Sequence, residues 1–342
     1  MNSKNINLKF DCLTIGADIG GTNAKFGIFG IKNGKPILIK FFRHKSSGMK
    51  KISSAIKEVK CYAKNNYGAE IKKACIAVAG PVSPNGKYTS MTNAPIYVDA
   101  DEIRNETGIV KIKIINDFES LGFGINLVNR KKLTEVKKGK SVLHAPIALI
   151  GAGTGLGKSV LYYEKHLRAY VPLSSEGGHA DFPAMSSREL ELVEFIKKSR
   201  KIRRVTIEDV VSGRGLESMY YFLKGMEKKK TNLSLVDKAA SKPEAISKMK
   251  LKDKLCGKTF DMFSLFYARA AKNFALECLA RGGVYIAGGI APKNPEIFGA
   301  GFKKEFEENG KLGNILKDIP VYLIKDENAG LLGAGFASSI ME

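Results

Sequence analysis

Apolar segments of strand length alternate along the chain with segments of helical periodicity. LTIGADI and AKFGIFGI flank a glycine-rich turn within residues 11–31, and the strand-like segments IKKACIAVAG and KIKIIN follow it. Between these segments, Ile52, Ile56, Val59 and Ala63 have the spacing of an amphipathic helix. Strands that alternate with helices predict a layered α/β fold.

The same pattern begins again at Pro146. PIALIGAG, the turn TGLG and KSVLYY repeat the strand, glycine turn and strand of residues 11–31. Two copies of one unit indicate a protein with two lobes, each carrying a glycine-rich turn.

The second half of the sequence is richer in helix signals. Ser186 and Glu189 have the spacing of a capping box before LELVEFIKK, and Thr206 is a candidate cap for IEDVV. A long apolar-faced helix is predicted over 259–281, and VYLI at 321–324 is the last predicted strand. A helix of small residues should begin at about Ala329.

Composition excludes several classes of protein. The 342 residues are 44% hydrophobic and 26% charged, as in an ordinary globular protein rather than a disordered or fibrous one. No apolar run approaches the roughly 18 residues of a membrane helix, and MNSKNINLKFD has no signal-peptide core. The five cysteines and four histidines are too scattered for a zinc site or a disulfide framework. We therefore expect a cytoplasmic protein with no membrane partner.

The net charge of +22 raises the question of a nucleic-acid partner. Basic runs occur at 130–140, 197–204 and 228–230, but they lie in polar stretches. The chain has no tryptophan and no alternation of aromatic and basic residues like a base-stacking surface. A solvated lysine-rich surface is the expected explanation, and a nucleic-acid partner is not expected. An anionic surface or nucleic acid stays open as the alternative.

The two glycine turns are candidate phosphate sites. Backbone N–H groups in such turns can hold an oxyanion, and DIGGTN adds a carboxylate, Asp18, suited to hydrated Mg²⁺, and a hydroxyl, Thr22. A plain hairpin turn is the alternative for either one alone. AGTGLGKS at 152–159 also approaches a P-loop, but the strand-forming VLYY follows it where a P-loop requires a helix. GxGxxG is absent from both turns, which disfavours a Rossmann site.

Polar residues also follow predicted strands. Asn116 and Asp117 come at the end of KIKII, Glu176 and His179 follow YVPLSS, and Glu208 begins the helix IEDVV. Carboxylates at the carboxyl end of a strand in an α/β sheet face the ligand crevice. Taken singly, each of these residues is equally compatible with a helix cap, a surface turn or a core histidine.

Eight segments together resemble one family. DIGGTNAKFGIF, MTN at 91–93, INDFES, GAGTGLG, SSEGGHADF, VVSGRGL, GGVYIAGGIAP and NAGLLGAG stand in the order and spacing of bacterial glucokinases that lack a zinc motif. This group belongs to the hexokinase–actin-like superfamily. The resemblance runs from about Leu13 to Phe336, and parts of 225–258 have no clear counterpart.

The resemblance implies roles for particular residues in the phosphorylation of glucose by ATP. Asp117 matches the catalytic base that takes the proton of the sugar 6-hydroxyl. The implied sugar ligands are Asn116, Glu176, His179, Glu208 and Asn93. The implied nucleotide-binding residues are Ala17, Asp18, Ile19, Gly20, Gly21, Thr22, Asn23, Gly153, Thr154, Gly155, Gly288 and Gly289, with Asp18 also implied as the ligand of Mg²⁺.

The resemblance also implies a two-lobed fold of the ribonuclease H-like, actin-like kind with a cleft between the lobes. The small lobe should comprise 1–127 with the C-terminal helix of 326–342, and the large lobe 128–325. A homodimer is common in the family. Three departures from the family are visible: NAPIYV stands where a Trp often follows MTN, at the rim of the sugar pocket; Arg214 stands where a Pro is common; and Ala180 rather than Val follows His179.

Three alternatives stay open at this point. A kinase for another hexose, such as mannose or an N-acyl hexosamine, would share these residues. A non-catalytic sugar-binding regulator would share the fold, although no helix-turn-helix precedes Asp18 and Asp117 is intact. A P-loop NTPase would require Lys158, whereas the glucokinase interpretation expects Lys158→Ala to stay active.

Overall fold

The computed structural model describes residues 10–46, 49, 51–90, 97–226 and 235–341. Asn93 and the basic run 228–230 lie outside the described residues. The chain divides into two compact units, each with a sheet and a hydrophobic core. Unit 1 comprises Met1–Arg130, Glu164–Pro172 and Asp326–Glu342, and unit 2 comprises Lys131–Tyr163 and Leu173–Lys325.

The strands of unit 1 are β1 (Cys12–Ile19), β2 (Asn23–Lys32), β3 (Lys35–Lys45), β4 (Lys73–Val78), β5 (Tyr88–Ser90), β6 (Tyr97–Asp99) and β7 (Lys111–Asn116). Five of them form a sheet in the order β3-β2-β1-β4-β7. β1 pairs antiparallel with β2 and parallel with β4, and β4 pairs parallel with β7. β5 and β6 pair antiparallel with each other, apart from this sheet.

Four helices accompany this sheet, α1 (Ile52–Tyr67), α2 (Ala100–Thr107), α3 (Asp117–Gly124) and α12 (Ala329–Ser339). The predicted stripe of α1 is buried at Ile56, Val59 and Ala63, where it packs on the core formed by β1, β2 and β4. Although α12 is far along the chain from the rest of unit 1, it belongs to this unit because it packs on α3 and on β1.

The second sheet is built mainly from unit 2, with the strands β8 (Leu133–Lys137), β9 (Ile147–Ala152), β10 (Leu156–Glu164), β11 (Ala169–Ser175), β12 (Gly283–Ala287) and β13 (Val321–Ile324). Their order is β11-β10-β9-β12-β13-β8. As in the first sheet, one central strand, β9, pairs antiparallel with its successor β10 and parallel with a later strand, β12. The repeat predicted from the sequence therefore appears as the same strand pairing in both sheets.

The helices of unit 2 are α4 (Ser187–Arg200), α5 (Ile207–Val210), α6 (Gly213–Met226), α7 (Leu235–Lys238), α8 (Lys242–Met249), α9 (Lys254–Glu277), α10 (Ala300–Glu307) and α11 (Gly313–Asp318). The long helix α9 begins before the predicted Thr259 because Asp253 caps it, accepting from the Cys256 N–H. Its end before Arg281 coincides with a positive φ of 46° at Leu279. The mixed α/β class predicted from the alternation of segments is confirmed.

The cap predicted at Ser186 is half right. Ser186 Oγ accepts from the Glu189 N–H, as an N-cap should. The Glu189 carboxylate does not complete the box; it accepts from Met185 N–H and pairs with the buried Arg269. The predicted cap at Thr206 is present: Thr206 Oγ1 accepts from the Asp209 N–H, and the Asp209 carboxylate accepts from the Thr206 N–H.

Candidate active site

The first glycine turn connects β1 to β2 at Gly20–Asn23. Ser46 fastens the turn: its Oγ donates to the Gly20 carbonyl at 2.6 Å, and its N–H donates to the Thr22 carbonyl at 3.0 Å. Gly21 and Thr22 are exposed, and no described residue lies within 4 Å of a Cβ placed on Gly21. Ser46 therefore holds the turn through its carbonyls, and the Gly20 N–H donates to the Asn23 carbonyl at 3.0 Å. The exposed part of the turn, Gly21 and Thr22, is left open to an oxyanion.

Asp18 lies immediately before this turn. The side chains of Ala17 and Ile19 are fully buried, so only their backbones can reach a nucleotide. Asp18 is opposite Lys25 in the β1–β2 register, and Lys25 donates from Nζ to the Glu327 carbonyl ahead of α12. Burial raises the pKa of Asp18, and the nearby Lys25 charge partly opposes this rise.

Asn116 and Asp117 form the junction where β7 ends and α3 begins. Asn116 caps α3 by accepting from the Phe118 N–H at 2.7 Å, and its amide donates to the Gly80 carbonyl at 3.1 Å. Asp117 Oδ1 accepts from the same Phe118 N–H at 2.9 Å. Burial, followed by the charge of Asp18, raises the pKa of Asp117 to about 6. A carboxylate of this kind can exchange a proton near neutral pH.

Small residues in α12 connect these two carboxylates. Asp18 Oδ2 would lie 2.9 Å from a Cβ on Gly330, and the Gly330 carbonyl accepts from Ser120 Oγ, in the first turn of α3, at 2.7 Å. A Cβ on Gly333 would lie 1.6 Å from the Ser120 carbonyl, so α12 and α3 approach backbone to backbone. The segment NAGLLGAG thus brings Asp18 close to the start of α3, and the interaction with Asp18 contributes to the raised pKa of Asp117.

The second glycine turn connects β9 to β10. Gly153 N–H donates to the Gly155 carbonyl, and the Gly153 carbonyl accepts from the Gly213 N–H at the start of α6, both at 2.8 Å. Gly288, whose φ is +83°, packs its backbone on the Ala152 carbonyl, 2.4 Å from where its Cβ would be. Three glycine segments of unit 2 therefore converge, with Thr154 and Gly289 exposed.

Lys158 does not serve a P-loop, because it lies within strand β10 and no helix follows it. Its side chain is buried, with Nζ 3.8 Å from Glu277 Oε2 and 4.6 Å from the Phe274 ring centroid. A Cβ on Gly177 would meet the Lys158 Cδ at 3.0 Å. The P-loop alternative is thereby excluded, and the activity of Lys158→Ala stays a prediction.

The segment Glu176–His179 follows β11 and forms a single 3₁₀ turn, Gly177–His179. A Cβ on Gly178 would lie 2.2 Å from the Leu156 carbonyl, so the turn rests directly on β10. Glu176 Oε2 lies 3.8 Å from His179 Nε2, and both side chains are exposed. Such a pair can offer an acceptor and an imidazole to a hydroxylated ligand.

Glu208, in the first turn of α5, also reaches the start of β10. Its Oε2 accepts from the Leu156 N–H at 2.9 Å and would lie 2.4 Å from a Cβ on Gly155. Its Oε1 accepts from Arg214 Nη2 at 2.8 Å. Glu208 therefore lies beside the second glycine turn and beside Leu156, on which the 176–179 turn rests. Both oxygens of its carboxylate accept hydrogen bonds.

Arg200 is a supporting residue that the sequence did not indicate. It lies in the basic run 197–204, which was expected to be a solvated surface, yet its guanidinium is largely covered, with 21% of the side chain exposed. It donates to Asp209 Oδ1, Ser218 Oγ and the Arg214 carbonyl. Nothing in the sequence distinguishes Arg200 from its neighbours, because only the fold determines which of these cations faces inward.

The predicted residues thus form two groups. Unit 1 brings together Asp18, the turn Gly20–Asn23, Asn116 and Asp117. Unit 2 brings Glu176, His179 and Glu208 to the start of β10, beside the turn at Gly153–Gly155. Within the described residues no group of three or more acidic, His or Cys side chains could hold a metal ion.

A family model described as Glucokinase matches residues 15–340. The chain belongs to the glucokinase family. This membership confirms the family expected from the eight segments and, with it, the class of enzyme, a hexose kinase that phosphorylates glucose.

Individual relatives agree with this assignment. The glucokinase of Nostoc sp. (strain PCC 7120) is 33% identical over 96% of this chain and 99% of its own length. The glucokinase of Shigella dysenteriae serotype 1 is 34% identical over 93% of this chain and 94% of its own.

Solved structures confirm the fold class. The crystal structure of a glucokinase from an Antarctic psychrotroph matches with a TM-score of 0.78 and 25% identity, over 96% of this chain and 99% of that one. A ROK family glucokinase from Streptomyces griseus, in complex with glucose and AMPPNP, matches over 95% of this chain and 99% of that one with a TM-score of 0.59 and 16% identity, which supports the fold alone. These proteins have the actin-like kinase fold.

No helix among the described residues is long and apolar enough to cross a membrane.

Proposed function

We propose that the protein transfers the γ-phosphate of MgATP to the 6-hydroxyl of glucose, with Asp117 as the general base. One observation carries the proposal: two carboxyl groups with raised pKa values, Asp18 and Asp117, lie at the ends of β1 and β7, next to the open turn Gly20–Asn23. Family membership supports the reaction, and the geometry of unit 1 supports the roles of these residues.

Asp117 would accept the proton of the 6-hydroxyl as that oxygen forms its bond to the γ-phosphorus. The bond between this phosphorus and the β–γ bridging oxygen breaks, and ADP leaves. The raised pKa of about 6 suits this task, because the carboxylate is ionised at neutral pH yet basic enough to take a proton. Its bond from Phe118 N–H holds Oδ1 in place.

Phosphoryl transfer otherwise requires positioning and neutralisation of charge. The exposed Gly21–Thr22 turn would bind phosphate oxygens through its backbone. Mg²⁺ would arrive with ATP as part of the substrate, because Mg²⁺ in such sites is held by phosphates, waters and one or two carboxylates rather than by a protein cage. Asp18 fits this requirement, because no described residue donates a hydrogen bond to its carboxyl group and a bound cation would favour the ionised form of that group.

The glycine segments of unit 2 would hold the rest of the nucleotide. Gly153–Gly155 and Gly288–Gly289 present backbone without side chains, and the start of α6 adds the positive end of a helix dipole beside Gly153. Thr154 would contribute its hydroxyl. A phosphate or ribose can approach this backbone closely because no Cβ intervenes.

The remaining hydroxyls of the sugar would be read by Asn116 in unit 1 and by Glu176, His179 and Glu208 in unit 2. Asn93 stays a predicted neighbour of the same pocket. Paired polar groups of this kind reject analogues that lack a hydroxyl. The proposal therefore requires both units to act on one sugar. The lobes, the cleft and the homodimer stay predictions from the family resemblance, and the cytoplasmic location stays a prediction from the sequence composition.

The pH dependence follows from Asp117. Because its pKa is raised to about 6, the carboxyl is protonated below that pH and cannot accept the hydroxyl proton. We expect kcat/KM for glucose to fall about tenfold per pH unit below pH 6. Initial rates from pH 5 to 8 with circular dichroism at each pH would test this; a rate that stays level down to pH 5 in folded protein would rule out Asp117 as the base.

Initial rates with MgATP and a panel of hexoses test the proposed substrate. We expect glucose to give the highest kcat/KM, with ADP and sugar phosphate formed in equal amounts. Higher kcat/KM for mannose or an N-acyl hexosamine would reassign the sugar within the same reaction. Hydrolysis of ATP without formation of sugar phosphate would contradict the proposed reaction.

A further inference from the structure

The pair formed by Glu208 and Arg214 is not accounted for by the proposed roles alone. Glu208 would be a sugar ligand, but Arg214 has no role in them, and it stands where the family commonly has Pro. Arg214 nevertheless pairs with Glu208 at 2.8 Å, from Nη2 to Oε1. Among the described residues, no other expected sugar ligand has a shorter ion pair. By contrast, the pair between Glu176 and His179 is 3.8 Å long and exposed.

Glu208 is held at its carboxylate, whereas Arg214 is held at its backbone and its side chain is 57% exposed. Glu208 Oε2 accepts from the Leu156 N–H, and the Glu208 side chain is 14% exposed. Arg214 is fixed through its backbone, since its carbonyl accepts from Arg200 Nη2 at 2.5 Å. Arg200 also donates to Asp209, the residue after Glu208. The guanidinium of Arg200 thus clamps the start of α6 to α5.

We propose that Arg214 is a positioning residue for the sugar, one that holds Glu208 in a single orientation through its carboxylate. This inference rests on the proposed function of Glu208 as a sugar ligand. A carboxylate has about four lone-pair positions, and Leu156 and Arg214 occupy one on each oxygen. One position on each oxygen is left for sugar hydroxyls, in a fixed plane.

The advantage is a lower entropic cost of binding. A free glutamate side chain loses rotamer entropy when a ligand immobilises it. Here the loss has already occurred in the free protein, because two bonds fix the carboxylate before sugar arrives. Arg214 would therefore act on sugar affinity and leave the transfer step alone, since Asp117 lies in the other unit.

The test is the Arg214→Met variant, which keeps the apolar stem and removes the charge. Because the pair is partly exposed, we expect a rise of about threefold to tenfold in KM and in the dissociation constant for glucose, with kcat within about twofold of wild type. Arg214→Lys should recover part of the affinity. Arg204→Met is the matched control: Arg204 is 83% exposed and pairs with Asp181 only at 3.8 Å, so no change is expected.

A double-mutant cycle separates positioning from general structure. In a Glu208→Gln background, Arg214→Met should add less than about twofold to the dissociation constant, because the charge it holds is already gone. The proposal is overturned if Arg214→Met leaves glucose affinity unchanged or improves it, or if it has its full effect without the Glu208 charge.

The binding measurement also separates this inference from the proposed reaction. Wild-type protein that binds glucose without phosphorylating it would overturn the proposed function, and the comparison of dissociation constants would still decide the role of Arg214. Wild-type protein that does not bind glucose would overturn both.

Discussion

Replacing Asp117 with Asn is expected to lower kcat by about 10³-fold while the dissociation constant for glucose changes only a few-fold. The amide keeps an oxygen that can accept from Phe118 N–H but cannot take the hydroxyl proton. Asp117→Ala should be as inactive and should lose this bond as well. Rapid-quench formation of sugar phosphate and equilibrium glucose binding would give the two quantities separately.

The same substitution should stabilise the protein at neutral pH. The folded-state pKa of Asp117, about 6 against an ordinary value of 3.8, means that ionisation costs free energy in the folded state. This cost is fully present above pH 6 and disappears below about pH 4, where the carboxyl is protonated in both states. We expect Asp117→Asn to raise the free energy of unfolding by about 1–2 kcal/mol at pH 7 and to have little effect near pH 4. Unchanged turnover, or destabilisation at pH 7, would contradict the assignment.

The second large effect is expected at Gly178. A Cβ at this position would lie 2.2 Å from the Leu156 carbonyl, so Gly178→Ala must push the turn away from β10. Glu176 and His179 flank that glycine and would move with it. We expect a loss of about 10²-fold in kcat/KM for glucose, since a displacement of about 1 Å in a positioning group has effects of this size.

Gly225→Ala, in α6, is the matched control for Gly178→Ala. No described atom lies within 4 Å of a Cβ at Gly225, and alanine favours a helix over glycine, so activity should be retained and stability should not fall. Equal kcat/KM for Gly178→Ala and wild type would show that the 176–179 turn does not bind sugar.

Much of unit 1 could be predicted because its signals are local. KIKIIN alternates apolar and polar residues and ends at Asn116, whose side chain caps the next helix, and β7 spans this predicted strand segment. The glycine turns were recognisable because glycine tolerates backbone conformations and close approaches that residues with a Cβ do not. The P-loop alternative could also be weakened from local signals, since strand-forming residues follow Lys158.

The electrostatics of the site could not be predicted, because they depend on contacts across long stretches of chain. The charge of Asp18 acts on Asp117, and the two are connected through Gly330, near the other end of the sequence. Glu189 has the spacing of a capping box, yet its carboxylate pairs with Arg269, a buried residue of α9. Arg200 lies in a run of similar cations, and only the packing of α4 against α5 and α6 selects it.

Identification of the product tests the central claim most directly. Phosphorus NMR of wild-type protein with MgATP and glucose should show glucose 6-phosphate and ADP in equal amounts, and 6-deoxyglucose, which lacks the attacking hydroxyl, should give no sugar phosphate. Phosphate on another hydroxyl, or release of inorganic phosphate regardless of sugar, would contradict the claim that Asp117 activates the 6-hydroxyl of glucose.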